Sequence, residues 1–162
     1  MNLDWLLGYL EGQGSFSIVL KKSGDRMQVV ADFSVKGDKD LLERVAEYIG
    51  GKVYRKGGSY VLKVTKLNEA AMLVRMLEHK IKSEVNKDTF GVWKECVCLM
   101  ENGEHLTKEG MLKIATLRNS LHGKDKWNKK SFCEIRTKVD PCEIYKKLGK
   151  IPEGCKICGG CQ

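Results

Sequence analysis

The clearest chemical spacing in the sequence is a cluster of cysteines near the C-terminus. The stretch Cys155-Lys-Ile-Cys-Gly-Gly-Cys161 contains two overlapping C-x-x-C spacings, and Cys142 or Cys133 could supply a fourth thiol. Four thiolates are a common ligand set of structural zinc. The usual zinc pattern has two separated C-x-x-C pairs, however, and intracellular proteins of hyperthermophiles also form disulfides. Structural Zn²⁺ and disulfides therefore both remain open for Cys142, Cys155, Cys158 and Cys161.

The basic balance of the chain favours an anionic partner. The 162 residues carry a net charge of +8, and the stretch from Leu112 to Lys150 holds 11 Lys and Arg against 4 Asp and Glu. Nucleic acid is the commonest partner of such a surface, although a solvated lysine-rich surface has the same composition. No apolar run could span a membrane, and the N-terminus lacks the basic start and cleavage site of a signal peptide. We expect a cytoplasmic protein with no membrane partner.

Alternating helices and hairpins are predicted to position these residues. Leucines recur at helical spacing over residues 3–10, and side chains alternate in polarity over 15–21 and 27–36. Further helices are predicted over 38–49, 67–79, 90–100 and 107–121, and a second hairpin over 52–64. The order αββαββα predicts an α+β fold, in which a four-stranded antiparallel sheet carries its helices on one face.

The other face of that sheet is predicted to be polar and basic. Phosphates need cations, and base edges need donors, acceptors and small apolar contacts. The outward positions supply this mixture, which is typical of a groove-binding surface, although an ordinary wet sheet face is the alternative. The predicted DNA-binding positions are Ser17, Val19, Lys21, Gln28, Val30, Asp32, Ser34, Lys36, Lys52, Tyr54, Lys56, Ser59, Val61 and Lys63.

A glycine-rich segment near the N-terminus carries a family resemblance. Residues 6–14 read LLGYLEGQG and are followed by Ser15-Phe16. The stretch resembles the motif of the LAGLIDADG homing endonucleases. Other segments follow that family in order: Phe33-Ser-Val35, Asp38-Lys-Asp-Leu-Leu42, Gly50-Gly-Lys-Val-Tyr54, Ser59-Tyr-Val-Leu62 and His105-Leu-Thr-Lys-Glu-Gly110.

The resemblance implies a molecular organisation and a function. It implies a core domain over residues 1–122. The basic, cysteine-rich stretch over 123–162 lies outside the resemblance, and we expect it to form an extension packed on or beside the core. Because the chain carries one motif, the resemblance suggests the homodimeric type found in archaeal introns. Such proteins bind a long, roughly palindromic duplex DNA and make a double-strand break.

The resemblance also explains the glycines of the motif. In the family two motif helices pack together, one from each half of the assembly, which assigns Leu7, Gly8, Glu11 and Gly12 to a dimer interface. Gly8 and Gly12 share one helix face, where two backbones can approach closely because no side chains intervene. Gly12 and Gly14 are expected to end the helix through backbone angles that favour glycine.

A divalent metal site is implied at the end of the motif helix. In the family the last acidic position presents a carboxylate to Mg²⁺, and such ions stabilise the attacking and leaving oxygens of phosphodiester hydrolysis. Here that position is Gln13, whose neutral amide oxygen is a weak Mg²⁺ ligand. Glu11, which in the family mainly supports the helix interface, and the carbonyl of Gly12 are the remaining candidates. We therefore expect Mg²⁺-dependent cleavage to be impaired.

Lysines are the other catalytic candidates that the resemblance implies. The family often has a Gln at the end of the second strand, where this chain has Lys36-Gly-Asp38 and is one residue shorter. Lys36 is predicted to take part of that role. A family lysine that enters a late helix is matched by Lys87, with Lys82 as the second choice. A lysine beside a phosphate stabilises developing charge, while a surface lysine is the alternative for each.

Two classes of function follow. The first is a site-specific DNA endonuclease with an impaired metal site. The second is a nucleic-acid-binding protein that does not cleave, such as an intron RNA-splicing maturase, a use that the same family makes of this scaffold. Gln13 favours the second class, and the polar sheet face fits both.

Overall fold

Five helices and four strands make up the part of the chain that the structure describes. The structure is a computed structural model, and it describes residues 2–23, 26–78, 80–82 and 84–122. The elements are α1 (Leu3–Gln13), β1 (Gly14–Ser23), β2 (Arg26–Gly37), α2 (Lys39–Ile49), β3 (Lys52–Lys56), β4 (Ser59–Val64), α3 (Leu67–Leu77), α4 (Glu84–Glu101), a 3₁₀ turn (Glu104–Leu106) and α5 (Lys108–His122). The predicted extension over 123–162, with its zinc or disulfide candidates Cys142, Cys155, Cys158 and Cys161, lies outside the described residues.

The strands form one antiparallel sheet in the order β1-β2-β4-β3. The hairpin of β1 and β2 pairs Gly14 with Val35 at one end and Lys21 with Gln28 near the other. The second hairpin joins it through β2 and β4, which places those two strands at the centre of the sheet and β1 and β3 at its edges. The predicted α+β fold with an αββαββα order is confirmed.

Helices cover the inward face of the sheet, where aromatic rings join the layers. Phe16 on β1 has its ring centroid 5.1 Å from that of Phe33 on β2 and 5.1 Å from that of Trp93 on α4. Phe90, one turn earlier on α4, lies 5.6 Å from Phe16. Burial of these large apolar surfaces is the main driving force that holds α4 against the sheet.

The first helix begins as predicted but ends for a different reason. Asn2 caps α1, since its Oδ1 accepts hydrogen bonds from the backbone N–H groups of Asp4 and Trp5 at 2.8 and 3.4 Å. At the other end Gly14 is extended, with φ −72° and ψ 146°, so the expected glycine backbone angles are absent. A Cβ at Gly14 would overlap the carbonyl oxygen of Leu10 and lie 2.6 Å from the Phe33 ring. Glycine is required here because the helix, the strand and Phe33 crowd together.

The later elements follow the sequence closely, with one difference. Gly50 and Gly51 end α2 with φ values of 76° and 89°, as a glycine C-cap requires. Thr107 starts α5, since its Oγ1 accepts from the Gly110 N–H at 3.0 Å. The fourth helix begins at Glu84, earlier than the predicted start at Phe90. The sequence did not predict these first turns, because they are polar and show no apolar period. Among the described residues, no helix is long and apolar enough to cross a membrane.

Candidate nucleic-acid interface

The outward face of the sheet brings together all of the predicted DNA-binding positions. Cross-strand partners project to the same side of a sheet. The register joins Ser17 to Asp32, Val19 to Val30, Lys21 to Gln28, Ser34 to Lys63 and Lys52, Lys36 to Val61 and Tyr54, and Ser59 to Lys56. The result is one continuous surface, which we call the outer sheet face. A role in DNA binding stays a prediction for each of these residues.

The outer sheet face is exposed and basic at its margins and more enclosed at its centre. Lys21, Lys52 and Lys56 lie on the edge strands and are exposed. The two buried positions of the face, Asp32 and Val61, lie on the central strands β2 and β4. A groove binder of this shape would present cations toward the phosphate backbones and its central residues toward the base edges.

An ion pair that the sequence did not predict lies at the centre of this face. The Nζ of Lys63 is 3.2 Å from Oδ2 of Asp32, and it donates a hydrogen bond there. Asp32 is only 8% exposed, and its Oδ1 is buried and has no hydrogen-bond partner among the described residues. The only sequence signal was an acidic residue among lysines on one strand face, which cannot identify its partner.

The end of α1 presents few charged ligands for a metal ion. Gln13 is the last residue of the helix and is exposed, as is Gly12. Within the described part of the chain, no group of three or more His, Cys, Asp and Glu side chains could hold a metal ion. An amide oxygen and backbone carbonyls carry no formal charge, whereas protein Mg²⁺ sites rely on carboxylates and phosphates. The residues that one protomer brings here therefore do not fit a Mg²⁺ centre.

Glu11 is engaged in the structure of its own chain. Its Oε1 accepts a hydrogen bond from the backbone N–H of Lys82 at 2.9 Å, and its carbonyl oxygen accepts one from Nδ2 of Asn86 at 2.9 Å. These contacts tie the end of α1 to the segment before α4 and to the first turn of α4, which carries the exposed Lys87. Lys87, the first choice for the late-helix catalytic lysine, and Lys82, the second choice, thus both lie in the part of the chain that contacts Glu11. Asn86 was missed from the sequence, because nothing local marks it.

Tyr9 ties the end of β2 to the same helix. Its hydroxyl donates a hydrogen bond to the carbonyl oxygen of Lys36 at 2.8 Å. A Cβ at Gly37 would overlap that hydroxyl, so glycine is needed for the contact. Burial, with a smaller contribution from the negative charge of Asp38, raises the pKa of the Tyr9 phenol and keeps it a donor. The backbone of Lys36 is thereby fixed at the end of the outer sheet face that lies nearest α1.

One side of α1 is left uncovered by the residues that the structure describes. Within that part of the chain, a Cβ at Gly8 or Gly12 would meet nothing within 4 Å, and Trp5, which shares their helix face, is 47% exposed. Leu3, at the start of the helix, is 56% exposed. Leu7, assigned to a dimer interface from the sequence, is only 9% exposed and belongs to the core of its own chain. The open side is therefore formed by Trp5, Gly8 and Gly12, and it offers little of Leu7.

Comparison with known sequences agrees with the resemblance seen in the motif. The pattern of the family described as LAGLIDADG endonuclease matches residues 6–97. A probable intron-encoded endonuclease 2 of Neurospora crassa is 30% identical over 127 residues, which are 73% of this chain and 27% of that protein. An uncharacterized cox1 intron-2 protein of Schizosaccharomyces pombe is 21% identical over 117 residues, or 70% of this chain and 36% of that protein. The chain thus spans about a third or less of the length of these relatives.

Several solved structures have the same fold as this chain. I-SmaMI bound to an uncleaved DNA target with calcium ions has a TM-score of 0.69 and 26% identity, over 75% of this chain and 45% of that one. The homing endonuclease I-GzeII in complex with its DNA target has a TM-score of 0.68 and 25% identity over the same shares. The homing endonuclease I-TnaI has a TM-score of 0.70 over 92% of this chain and 97% of that one. Its identity of 23% supports a likeness of fold alone.

Proposed function

We propose that this chain, which belongs to the LAGLIDADG endonuclease family, is a site-specific homing endonuclease that binds a long duplex DNA through the outer sheet face. The observation that carries the proposal is the register of the sheet, which sets five lysines on one face with serine, glutamine and tyrosine groups. Cations suit phosphates, while the smaller polar and apolar groups suit base edges. The DNA complexes of I-SmaMI and I-GzeII, with the same fold, support this assignment.

We propose further that two copies of the chain act together. One chain contains one motif helix, and a Cβ at Gly8 or Gly12 would meet no described atom of the same chain within 4 Å. Mid-helix glycine costs about 1 kcal/mol relative to alanine, and no contact with the described residues explains why Gly8 is a glycine. A second α1 packed on Trp5, Gly8 and Gly12 would provide it. Two symmetric sheets then predict a roughly palindromic target.

The cleavage step is proposed to be weak or absent. The neutral amide of Gln13 does not replace a carboxylate, and the carboxylate of Glu11 is directed to the Lys82 backbone. Lys36 and Lys87 lie on elements that meet the helix end, where a lysine stabilises charge on a bound phosphate. The protein in this form is expected to bind its target tightly and to cut it slowly or not at all with Mg²⁺.

Gln13 also favours a second function. A non-cleaving protein that binds intron RNA, as a splicing maturase does, has no need for a metal-binding acid at position 13. The curated relatives are named for introns, which is consistent with an intron-borne gene in either case. An archaeal origin stays a prediction.

A direct comparison of ligands tests the proposal. The full chain is titrated with a randomised duplex DNA library and with a structured intron RNA at matched salt. We expect tight, salt-dependent duplex binding and enrichment of a palindromic sequence. A clear preference for the RNA would reject the endonuclease assignment and support the maturase. Deep, narrow A-form grooves admit side chains poorly, so the two ligands should separate well.

A further inference from the structure

The ion pair of Asp32 and Lys63 occupies the centre of the outer sheet face. Asp32 lies on β2 and Lys63 on β4, the two central strands. The side chain of Lys63 is 41% exposed, so its ammonium reaches the surface while Asp32 lies beneath it. Lys52, opposite Lys63 in the register, lies on the edge strand β3 and makes no ion pair with any residue that the structure describes. The two lysines are therefore neighbours in different electrostatic settings.

A contribution to folding stability does not explain why the chain has this ion pair. Ion pairs that involve an exposed partner contribute little, because the Coulomb energy is screened and the side chains lose freedom. Asp32 also leaves Oδ1 buried without a hydrogen bond from any described residue, and an unsatisfied buried carboxylate oxygen is costly. A negative charge on a phosphate-binding surface further opposes binding. The arrangement therefore adds little to folding stability, and it opposes non-specific affinity.

We propose that Asp32 is a positioning residue that holds Lys63 for readout of a base in the major groove and keeps it from the phosphates. The proposal rests on the proposed function, namely that the outer sheet face binds duplex DNA. An ammonium has three N–H donors, and one is used by Oδ2 of Asp32. The others can reach acceptors, while the adjacent carboxylate reduces the net attraction of Lys63 for phosphate.

Guanine is the base that this arrangement fits. Its O6 and N7 are adjacent acceptors on the major-groove edge, which suits a lysine with two remaining donors. Adenine presents N7 beside the N6 amino donor, so one of the two ammonium donors would face another donor. We therefore expect Lys63 to specify one G·C pair in each half-site.

Two pairs of variants separate this role from general electrostatics. In the first pair, Lys63→Gln is compared with the matched control Lys52→Gln, using the sequence enriched from the library and an unrelated duplex. Lys63→Gln should lose about tenfold discrimination at one base pair. It should keep the salt slope of wild type, which is the slope of the logarithm of the association constant against the logarithm of the salt concentration. Lys52→Gln should keep the discrimination and lower the slope by about 0.9 for each phosphate that is no longer neutralised.

In the second pair, Asp32→Asn is compared with Glu43→Gln, which removes the same charge from an exposed i,i+4 pair with Lys39 on α2. Asp32→Asn should bind the unrelated duplex more tightly and gain about 0.9 in slope for each Lys63 that now reaches a phosphate. It should also lose the discrimination, whereas Glu43→Gln should not. Thermal unfolding of each variant establishes that it is folded.

Opposite results would overturn the inference. If Lys63→Gln lowers the slope and keeps the discrimination, Lys63 is a phosphate contact. If Asp32→Asn weakens binding to both duplexes equally, Asp32 has only a structural role. If wild type itself shows no salt-dependent duplex binding, the proposed function fails, and this inference fails with it.

Discussion

Residue 13 decides which chemistry is available at the end of α1. An amide there adds no charge to the helix end, and the hydrogen bonds of Tyr9 and Asn86 join α1 to the backbone of Lys36 and to the turn that carries Lys87. Gln13 does not supply the anionic ligand that holds a divalent cation. Under the proposed function, the side chain at residue 13 therefore separates binding from cleavage.

Replacing Gln13 by Glu should therefore restore Mg²⁺-dependent double-strand cleavage. The change adds a carboxylate to each of two facing helix ends, and metal stabilisation of the transition state contributes several kcal/mol, so we expect a gain on the order of a hundredfold or more. In chelator the variant should bind DNA more weakly, because its carboxylates face phosphates without a cation. A cleavage time course of both forms, with Mg²⁺ and with chelator, measures this. Equal rates would mean that residue 13 does not anchor the metal.

Cys96 illustrates a residue whose chemistry is suppressed by its position. Its thiol is buried in the core, and this burial raises the pKa from 9.0 to about 12. The folded state thus favours the neutral thiol, so its contribution to the free energy of unfolding is complete below pH 9 and is lost as the pH rises toward 12.

We expect Cys96 to react with iodoacetamide far more slowly than the partly exposed Cys98, as mass spectrometry of the labelled peptides would show. The free energy of unfolding should fall more steeply above pH 9 in wild type than in Cys96→Ala. Equal labelling of the two thiols in the native protein would contradict this.

At the scale of elements, local patterns predicted most of the fold. Apolar periodicity identified α1, α2, α3 and α5 to within a few residues, and alternation identified the strands. The start of α4 was missed, because the polar turns from Glu84 depend on contacts such as that of Asn86 with α1. The crowding at Gly14 was also invisible, since the Phe33 ring approaches from a distant strand.

The candidate site was predictable only in part. Period-two alternation was enough to find the outer sheet face, because the side of a strand follows from residue parity. The pairing of Asp32 with Lys63 was not, because it depends on which strands are neighbours. The engagement of Glu11 by the Lys82 backbone joins positions far apart in sequence, and no local signal marks such a contact.

The open side of α1 gives an element-scale prediction. A leucine at Gly8 should leave the protomer folded, since space is open there, and should convert a dimer to a monomer. Gly91→Leu is the matched control, because Gly91 is also helical and exposed, and a Cβ there would meet no atom of the described residues within 4 Å. Both changes improve helix propensity by up to about 1 kcal/mol, so neither should lower the thermal midpoint of the protomer. Sedimentation distinguishes them, and a wild-type monomer both alone and on DNA would reject the dimer.

At the scale of the whole molecule, two outer sheet faces side by side would form a long basic surface. The logarithm of the association constant should then fall linearly with the logarithm of the salt concentration, by about 0.9 for each phosphate contacted. Titrations of a duplex at several salt concentrations measure the slope. A slope near zero would show that the sheet is not a DNA surface. The enriched target should be roughly palindromic, with half-site centres about 10 base pairs apart.

The separation of inward and outward side chains along the strands also has an evolutionary consequence. Exposed outward residues such as Lys21 and Ser59 can be exchanged with stability effects of about 0.5 kcal/mol or less, whereas inward residues such as Phe33 cannot. Under the proposed function, single substitutions on this face can therefore change the target sequence while the protein stays folded. Val61 faces outward and is yet buried, so selection for folding reaches it too, while Asp32 is constrained by its proposed role in positioning Lys63. These two positions should diverge most slowly of the outer sheet face as lineages adapt to new hosts.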